Sequence, residues 1–151
     1  MLFQRINRSN PEKIFIVAYN SYSTAALTNG QAVNWDFITD CDGVGVTMPL
    51  ARATNGGVAI AGVAAETIAA GAYGLIQVYG YHSAVRVRSV TGSGTDIAKG
   101  RPLFANVAGS VFCLESASTA STVVLKYPCG FALAASAVFT TAAIAVFIKA
   151  L

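Results

Sequence analysis

The sequence predicts an all-β fold: a single-domain β-barrel or jelly-roll-like sandwich of about ten short strands, preceded by an extended N-terminal arm. Three observations carry this reading. Short runs rich in Val, Ile, Phe and Tyr recur along the chain. Glycine- and asparagine-bearing turns separate them. No segment has the period of a convincing amphipathic helix.

Residues 1–12 read as an arm, because Arg5, Asn7, Arg8, Ser9, Asn10 and Pro11 are polar or strand-breaking. Residues 13–151 form the all-β domain, the natural prior for 151 residues being one domain. Lys13 to Tyr19 is the first strand, dense in β-branched and aromatic residues. Asn29-Gly30 marks a tight turn. Gln31 to Ile38 alternates, with Val33, Trp35 and Phe37 on one face. Asp40-Cys41-Asp42-Gly43 closes it, and Val44 to Pro49 follows as a short strand. Asn55-Gly56-Gly57 is a further turn before the small apolar run Val58 to Ala65. Ala64 to Ala70 fits one helical turn, which Gly71 stops.

Tyr73 to Tyr79 and Ser83 to Val90 read as two strands joined around Gly80-Tyr81-His82. Gly92 to Asp96 is a loop, and Leu103 to Val107, Val111 to Glu115 and Ser121 to Lys126 are strands. Ile68-Ala69-Ala70-Gly71 and Ile97-Ala98-Lys99-Gly100 each end in a glycine that aims the apolar run behind it. Phe131 to Ile148 holds 18 residues without a charge, the lower limit for a membrane helix. Its Ala, Ser and Thr content fits two strands better, Gly130 to Phe139 and Ala142 to Lys149, with a turn near Thr140-Thr141. Apolarity at every position predicts strands buried on both faces.

Charge is scarce. Charged residues make up 11% of the chain, against ~25% in ordinary soluble domains, and hydrophobic residues 54%. After Arg101 only Glu115, Lys126 and Lys149 carry charge. A lone chain of this kind exposes apolar surface and associates, so much of its surface is expected to be covered by other subunits. The net charge of +3 is scattered, with no basic run, which argues against a nucleic-acid partner. Arg86 and Arg88 share one strand face opposite Val85 and Val87, a solvated or subunit-facing surface. Cys41, Cys113 and Cys129 lack C-x-x-C spacing and read as buried, reduced thiols, which suits assembly in cytoplasm. Asn10-Pro11-Glu12-Lys13 interrupts any secretory pattern.

The residues that carry chemistry are few. His82, the one histidine, is expected at a surface turn, and no G-x-S-x-G elbow exists to use it. Asp40-x-Asp42-Gly43, with Asp36 nearby, resembles a fragment of a calcium loop. It lacks the further oxygen ligands and the closing glutamate, so these aspartates read as turn formers. Gly92-Ser93-Gly94 is not a phosphate loop, and no G-K-[ST] occurs. Tyr73, Tyr79 and Tyr81 are strand-spaced and suit core or interface packing rather than base stacking. The reading therefore names no catalytic, cofactor or metal residue, no enzyme activity and no small-molecule substrate.

One resemblance adds to this. Ala61-Gly62-Val63-Ala64, then Ile68-Ala69-Ala70-Gly71-Ala72-Tyr73-Gly74-Leu75-Ile76-Gln77-Val78-Tyr79-Gly80, then Ile97-Ala98-Lys99-Gly100-Arg101-Pro102-Leu103-Phe104 resemble small capsid decoration, or cement, proteins of tailed bacteriophages. The resemblance implies a virion protein made in the host cytoplasm. Such a protein binds the exterior of an assembled capsid as a homotrimer and bridges neighbouring copies of the major capsid protein. No membrane or nucleic acid enters that role. Arg5 and Arg8 on the arm, with Arg86 and Arg88, are the candidate capsid or subunit contacts. The alternatives are another virion subunit, from a tail or head fibre, and a tail-anchored membrane binding module.

Overall fold

A computed structural model of the chain describes residues 12–40, 42–49, 60–89, 97–106, 111–114, 128–137 and 141–150. They contain nine strands: β1 (Lys13–Asn20), β2 (Ala32–Trp35), β3 (Gly45–Thr47), β4 (Ile60–Ala64), β5 (Tyr73–Ser89), β6 (Pro102–Asn106), β7 (Val111–Leu114), β8 (Gly130–Ala132) and β9 (Ala142–Lys149). There is no helix among the described residues. The fold is all-β, as the sequence predicts.

All nine strands belong to one mixed sheet that closes on itself twice. The order β1-β3-β2-β4-β5 is joined into a ring by pairing of β1 with β5. The order β5-β7-β6-β8-β9 is joined by pairing of β9 with β5. Closure removes free edges wherever the pairing is complete. The two rings share β5, whose 17 residues serve the first ring at one end and the second at the other. At ~3.3 Å per residue this strand is roughly 55 Å long.

Alternation sets the inside of each ring. On β9, Ile144, Val146 and Ile148 are buried while Ala143 and Lys149 face out. One cluster, with Ala18, Leu27, Val33, Val46, Ile68, Ile76 and Val78, fills the first ring. A second, with Val85, Val87, Ile97, Leu103, Ile144, Val146 and Ile148, fills the other. Ala32 and Val63 belong to that second cluster, so the first ring packs its own β2 and β4 against the second ring.

The rings repeat one another. In each, the first and third strands are parallel and every other pair is antiparallel. Outside the strands, the bridge Leu27–Ile68 recurs as Ile97–Ser136, 70 positions on (27 to 97) and 68 positions on (68 to 136). The turn closed by Gln31 N–H to Thr28 O recurs as Arg101 N–H to Ala98 O. Its glycine, Gly30 or Gly100, has φ of 79° or 80°. In both, the glycine N–H donates to an alanine carbonyl, Ala64 or Ala132. Inward residues correspond too: Leu27 with Ile97, Val33 with Leu103, Ala61 with Cys129, Ile76 with Ile144 and Val78 with Val146. The chain is an internal duplication in which the last strand of the first unit continues as the first strand of the second.

Several expectations need correction. The strands expected on either side of Gly80-Tyr81-His82 are one strand, because β9 pairs with β5 from Tyr79 to Val87, across that point, and β1 pairs with it up to Gly80. Ala64 to Ala70 is not helical; Ile68 bridges to Leu27 instead. β2 stops at Trp35, since the Asp36 carboxylate accepts the N–H groups of Ile38 and Thr39 and turns the chain, leaving Phe37 exposed. β9 is buried on one face rather than two, its outer face being made of alanines and the half-buried Phe147. β8 is shorter than expected, ending at Ala132. The Asn55–Gly57 turn, the Gly92–Asp96 loop, the Ser121–Lys126 strand and all of the arm before Glu12 lie outside the described residues.

The duplication yields two predictions. A Cβ on Gly30 collides with the Ala84 carbonyl, whereas one on Gly100 meets open space. Gly100→Ala carries only the left-handed backbone penalty of about 1–2 kcal/mol, and Gly30→Ala carries that plus a clash, about 3–4 kcal/mol in all. Urea denaturation of the two variants measures the difference. Ser136 occupies the place of Ile68, and its buried Oγ has no hydrogen-bond partner among the described residues. Ser136→Ala is expected to raise stability by about 1 kcal/mol in the same assay.

Candidate interaction surface

Each ring has an inside that the fold demands and an outside that it does not. On β1, Ala18 and Asn20 point inward, so Phe15, Val17 and Tyr19 point out. Val17 is 64% exposed. On the neighbouring β5 segment, Ile76 and Val78 point inward and Tyr73 and Leu75 point out, Tyr73 at 66% exposure. Register places Val17 opposite Leu75 and Tyr19 opposite Tyr73, with the two tyrosine rings 5.3 Å apart. Val44, also exposed, adjoins them, its carbonyl accepting the Tyr19 N–H at 3.0 Å. Phe37 and Ile38, the latter 78% exposed, crown the turn that Asp36 builds, and the Asp36 N–H donates to Gly45 next to Val44. The first ring thus carries a broad apolar outer face.

Among the described residues the second ring differs: beside the exposed Leu133 and the half-buried Phe131 and Phe147 it presents charge. Parity along β5 switches at the irregularity between His82 and Val85, so beyond it the odd residues Val85 and Val87 are buried and the even ones face out. The pairing of β1 with the first part of β5, and of β9 with its second part, equates Val17 with Arg86 and Tyr19 with Arg88. Arg86 is exposed and Arg88 half-buried. Across from Arg86 on β9 stands Ala143. At these positions two units with matching interiors differ outside, apolar in one and basic in the other. The apolar face is not required to build the ring, which makes it the candidate interaction surface.

Of the sequence-predicted contacts, Arg86 and Arg88 lie on the outer face opposite Val85 and Val87, as expected. Arg5 and Arg8 lie outside the described residues. The structure does not bring Arg86 and Arg88 to the apolar face; Leu75 and Arg86 are roughly 35 Å apart along β5. Sequence reasoning missed Phe15, Val17 and Leu75, and left Tyr73 between core and interface packing. The signal was present in Ile14-Phe15-Ile16-Val17, where a strand with one face in water would alternate with polar residues.

The titratable groups serve structure. Burial pushes the Asp36 carboxyl up, but hydrogen bonds from Ser21 (Oγ to Oδ2, 2.6 Å) and from the N–H groups of Thr39 and Ile38 outweigh it, so the group sits below its ordinary value. Asp40 is raised, first by a side-chain hydrogen bond with Asp42, while Asp42 Oδ1 accepts the Val44 N–H. Among the described residues no three His, Cys, Asp or Glu side chains gather as a metal site would need. Cys129 is buried and its thiol donates to the Leu103 carbonyl at 3.1 Å. Cys41 and the Cys113 side chain lie outside the described residues. Tyr73 packs on Tyr19, Tyr79 meets Phe147 edge-on at 5.1 Å, and Lys13 Nζ lies 6.0 Å over the Tyr81 ring.

His82 is not at a surface turn. It is buried in the middle of β5, and its Nδ1 accepts the Ala84 N–H at 3.1 Å. Burial first, and the charge of Lys13 second, push its pKa down.

No helix of the described residues is long and apolar enough to cross a membrane. A scan of protein-family models finds no match to the chain, and neither does a search of curated proteins.

The buried histidine makes stability depend on pH. The unfolded chain binds the His82 proton more readily than the folded one, so stability is full above the ordinary value of 6.5 and falls as pH drops towards the lowered folded-state value. Urea midpoints at roughly pH 5 and pH 7.5 are expected to differ for the native chain, and His82→Gln to shrink that difference.

Proposed function

We propose that this chain is a viral structural protein that binds the outer surface of an assembled tailed-phage capsid as a trimer and stabilises it by bridging neighbouring major capsid proteins. The observation that carries the reading is the apolar outer face of the first ring, whose β1 positions Val17 and Tyr19 are taken by Arg86 and Arg88 in the second. The scarcity of charge supports it, because obligate interfaces are more hydrophobic than transient ones. So does the resemblance of residues 61–104 to decoration proteins.

In this reading residues 13–151 form one all-β decoration domain and residues 1–12 an arm whose Arg5 and Arg8 reach a neighbour. Arg86 and Arg88 supply polar contacts at the far end of β5. Bridging works through multivalency: a trimer touches several capsid subunits, so modest contacts sum through effective concentration. The shell is then harder to open, because separating two capsid subunits requires releasing the bridge as well.

The test is co-sedimentation of the purified chain with DNA-filled heads of the phage that carries it. Saturable binding at a fixed ratio to the capsid protein, with a higher melting temperature of the heads, is the expected result. Leu75→Glu puts an unpaired charge in the apolar face and is expected to weaken binding tenfold or more, about 1.4 kcal/mol. Heads that neither take up the chain nor gain stability from it would overturn the proposal. Labelling confined to tails or fibres in intact particles would favour another virion subunit.

A further inference from the structure

The contact between the two units has a direction. The Gly30 turn of the first unit lies on the edge of β5 in the second, where the Gly30 carbonyl accepts the Arg86 N–H at 2.8 Å. Gly30 has no room for a Cβ there, because the Ala84 carbonyl fills it. Ala32 and Val63, beside that turn, are fully buried in the second unit's core. One face of the first unit, the turn face, is thus seated on one edge of the second.

Each half of that contact has an unused counterpart. The second unit's turn face carries Gly100 where the first carries Gly30, with the same φ but exposed and with open space around its Cα. Pro102 and Phe131 take the places of Ala32 and Val63 and are only half-buried. No described N–H donates to the Gly100 carbonyl. At the opposite end of the molecule, the edge of β1 corresponds to the edge of β5 that Gly30 covers, with Phe15 and Val17 in the places of Ala84 and Arg86. Asn20 directs its N–H to Ala72 on the β5 side, and Tyr19 directs its own to Val44 on the β3 side. Alternation therefore turns the Val17 N–H to the β3 side, where β3 pairs only with Tyr19 and Asn20. Among the described residues nothing accepts the Val17 N–H.

We propose that the chain assembles head to tail with copies of itself, the Gly100 turn face of one copy docking on the open β1 edge of the next and repeating the contact its own units already make. The Gly100 carbonyl takes the Val17 N–H, and Pro102 and Phe131 cover the apolar β1 edge. The surfaces are different on the two partners, so the contact is heterologous: it closes into a ring where the rotation allows and otherwise extends as a filament. An open strand edge beside exposed apolar side chains is the kind of surface that another chain completes. The inference does not depend on the assembly sitting on a capsid.

Two variants separate the partner surfaces. Val17→Pro removes a donor that no described residue accepts, at an edge position where proline is tolerated. Gly100→Asn keeps a residue that accepts the left-handed conformation and adds bulk where the neighbour must approach. Light scattering after size exclusion is expected to show the native chain as a multiple of 15.6 kDa and each variant as a monomer. An equimolar mixture of the two variants retains one intact turn face and one intact edge, so it is expected to give a dimer of twice 15.6 kDa and nothing larger. A native chain that remains monomeric at all concentrations overturns the proposal, as do folded variants that keep the native mass. Variants that are both monomeric but do not pair when mixed overturn its head-to-tail polarity. If either variant fails to fold, hydrogen exchange of the native chain decides: the Val17 amide is expected to exchange more slowly as concentration rises, and fast exchange at every concentration overturns the contact. Capsid binding by a monomer would leave the virion reading standing while this one fell, and an oligomer that ignores capsids would do the reverse.

Discussion

Everything in this molecule is organised by one strand that cannot belong to a single ring. β5 presents the even residues Ile76 and Val78 to the first interior and the odd residues Val85 and Val87 to the far part of the second, yet side chains on a regular strand alternate. The conflict is resolved in the stretch from Gly80 to Val85. Gly80 lets the Glu12 carbonyl approach where a Cβ would stand, at φ of 100°. The irregular pairing between His82 and Val85 then shifts the alternation by one. Carbonyls along this stretch are satisfied by Gln77, whose Nε2 donates to both Tyr79 and Tyr81 at 3.1 Å. A buried glutamine in an apolar strand is thereby explained: it supplies the hydrogen bonds that a regular neighbour would have made.

Much of the first unit was legible in the sequence because its signals are local. Lys13 to Tyr19 is dense in β-formers, and Asn29-Gly30 is a turn whatever surrounds it. The junction in β5 was not legible for the same reason. Gly80-Tyr81-His82 looks like a turn locally, and the pairing of β9 across it keeps it extended. His82 followed the same error, its burial being decided by strands distant in sequence. The duplication escaped notice because it conserves size and polarity at inward positions rather than identity. Ile68–Gly71 and Ile97–Gly100 look alike, but the fold matches the Ile97 turn to Leu27–Gly30, where the shared pattern is an aliphatic residue three positions before a glycine. The outer surface was the least legible part, since nothing in an apolar strand says which of its two sides remains uncovered.

Duplication also explains how one chain holds two different surfaces. The interior of each unit is held to small aliphatic residues of matching volume, because a change of even one methylene in a closed ring is felt. Outward positions carry no such constraint. Val17 and Leu75 in one unit stand where Arg86 and Ala143 stand in the other. The pair Ile68 and Gly74, where the isoleucine fills the space beside the glycine, stands where Ser136 and Ala142 do, a bulk exchange within an unchanged topology.

The absence of any linker between the units has a mechanical side. A hinge needs a few residues that can change φ and ψ without breaking hydrogen bonds, and β5 offers none, being paired along its length by β1 and β4 and then by β7 and β9. Tension along this strand is borne in shear by hydrogen bonds in both rings together, not peeled from one end bond by bond. The chain therefore behaves as a stiff strut whose two ends keep a fixed spacing and a fixed twist.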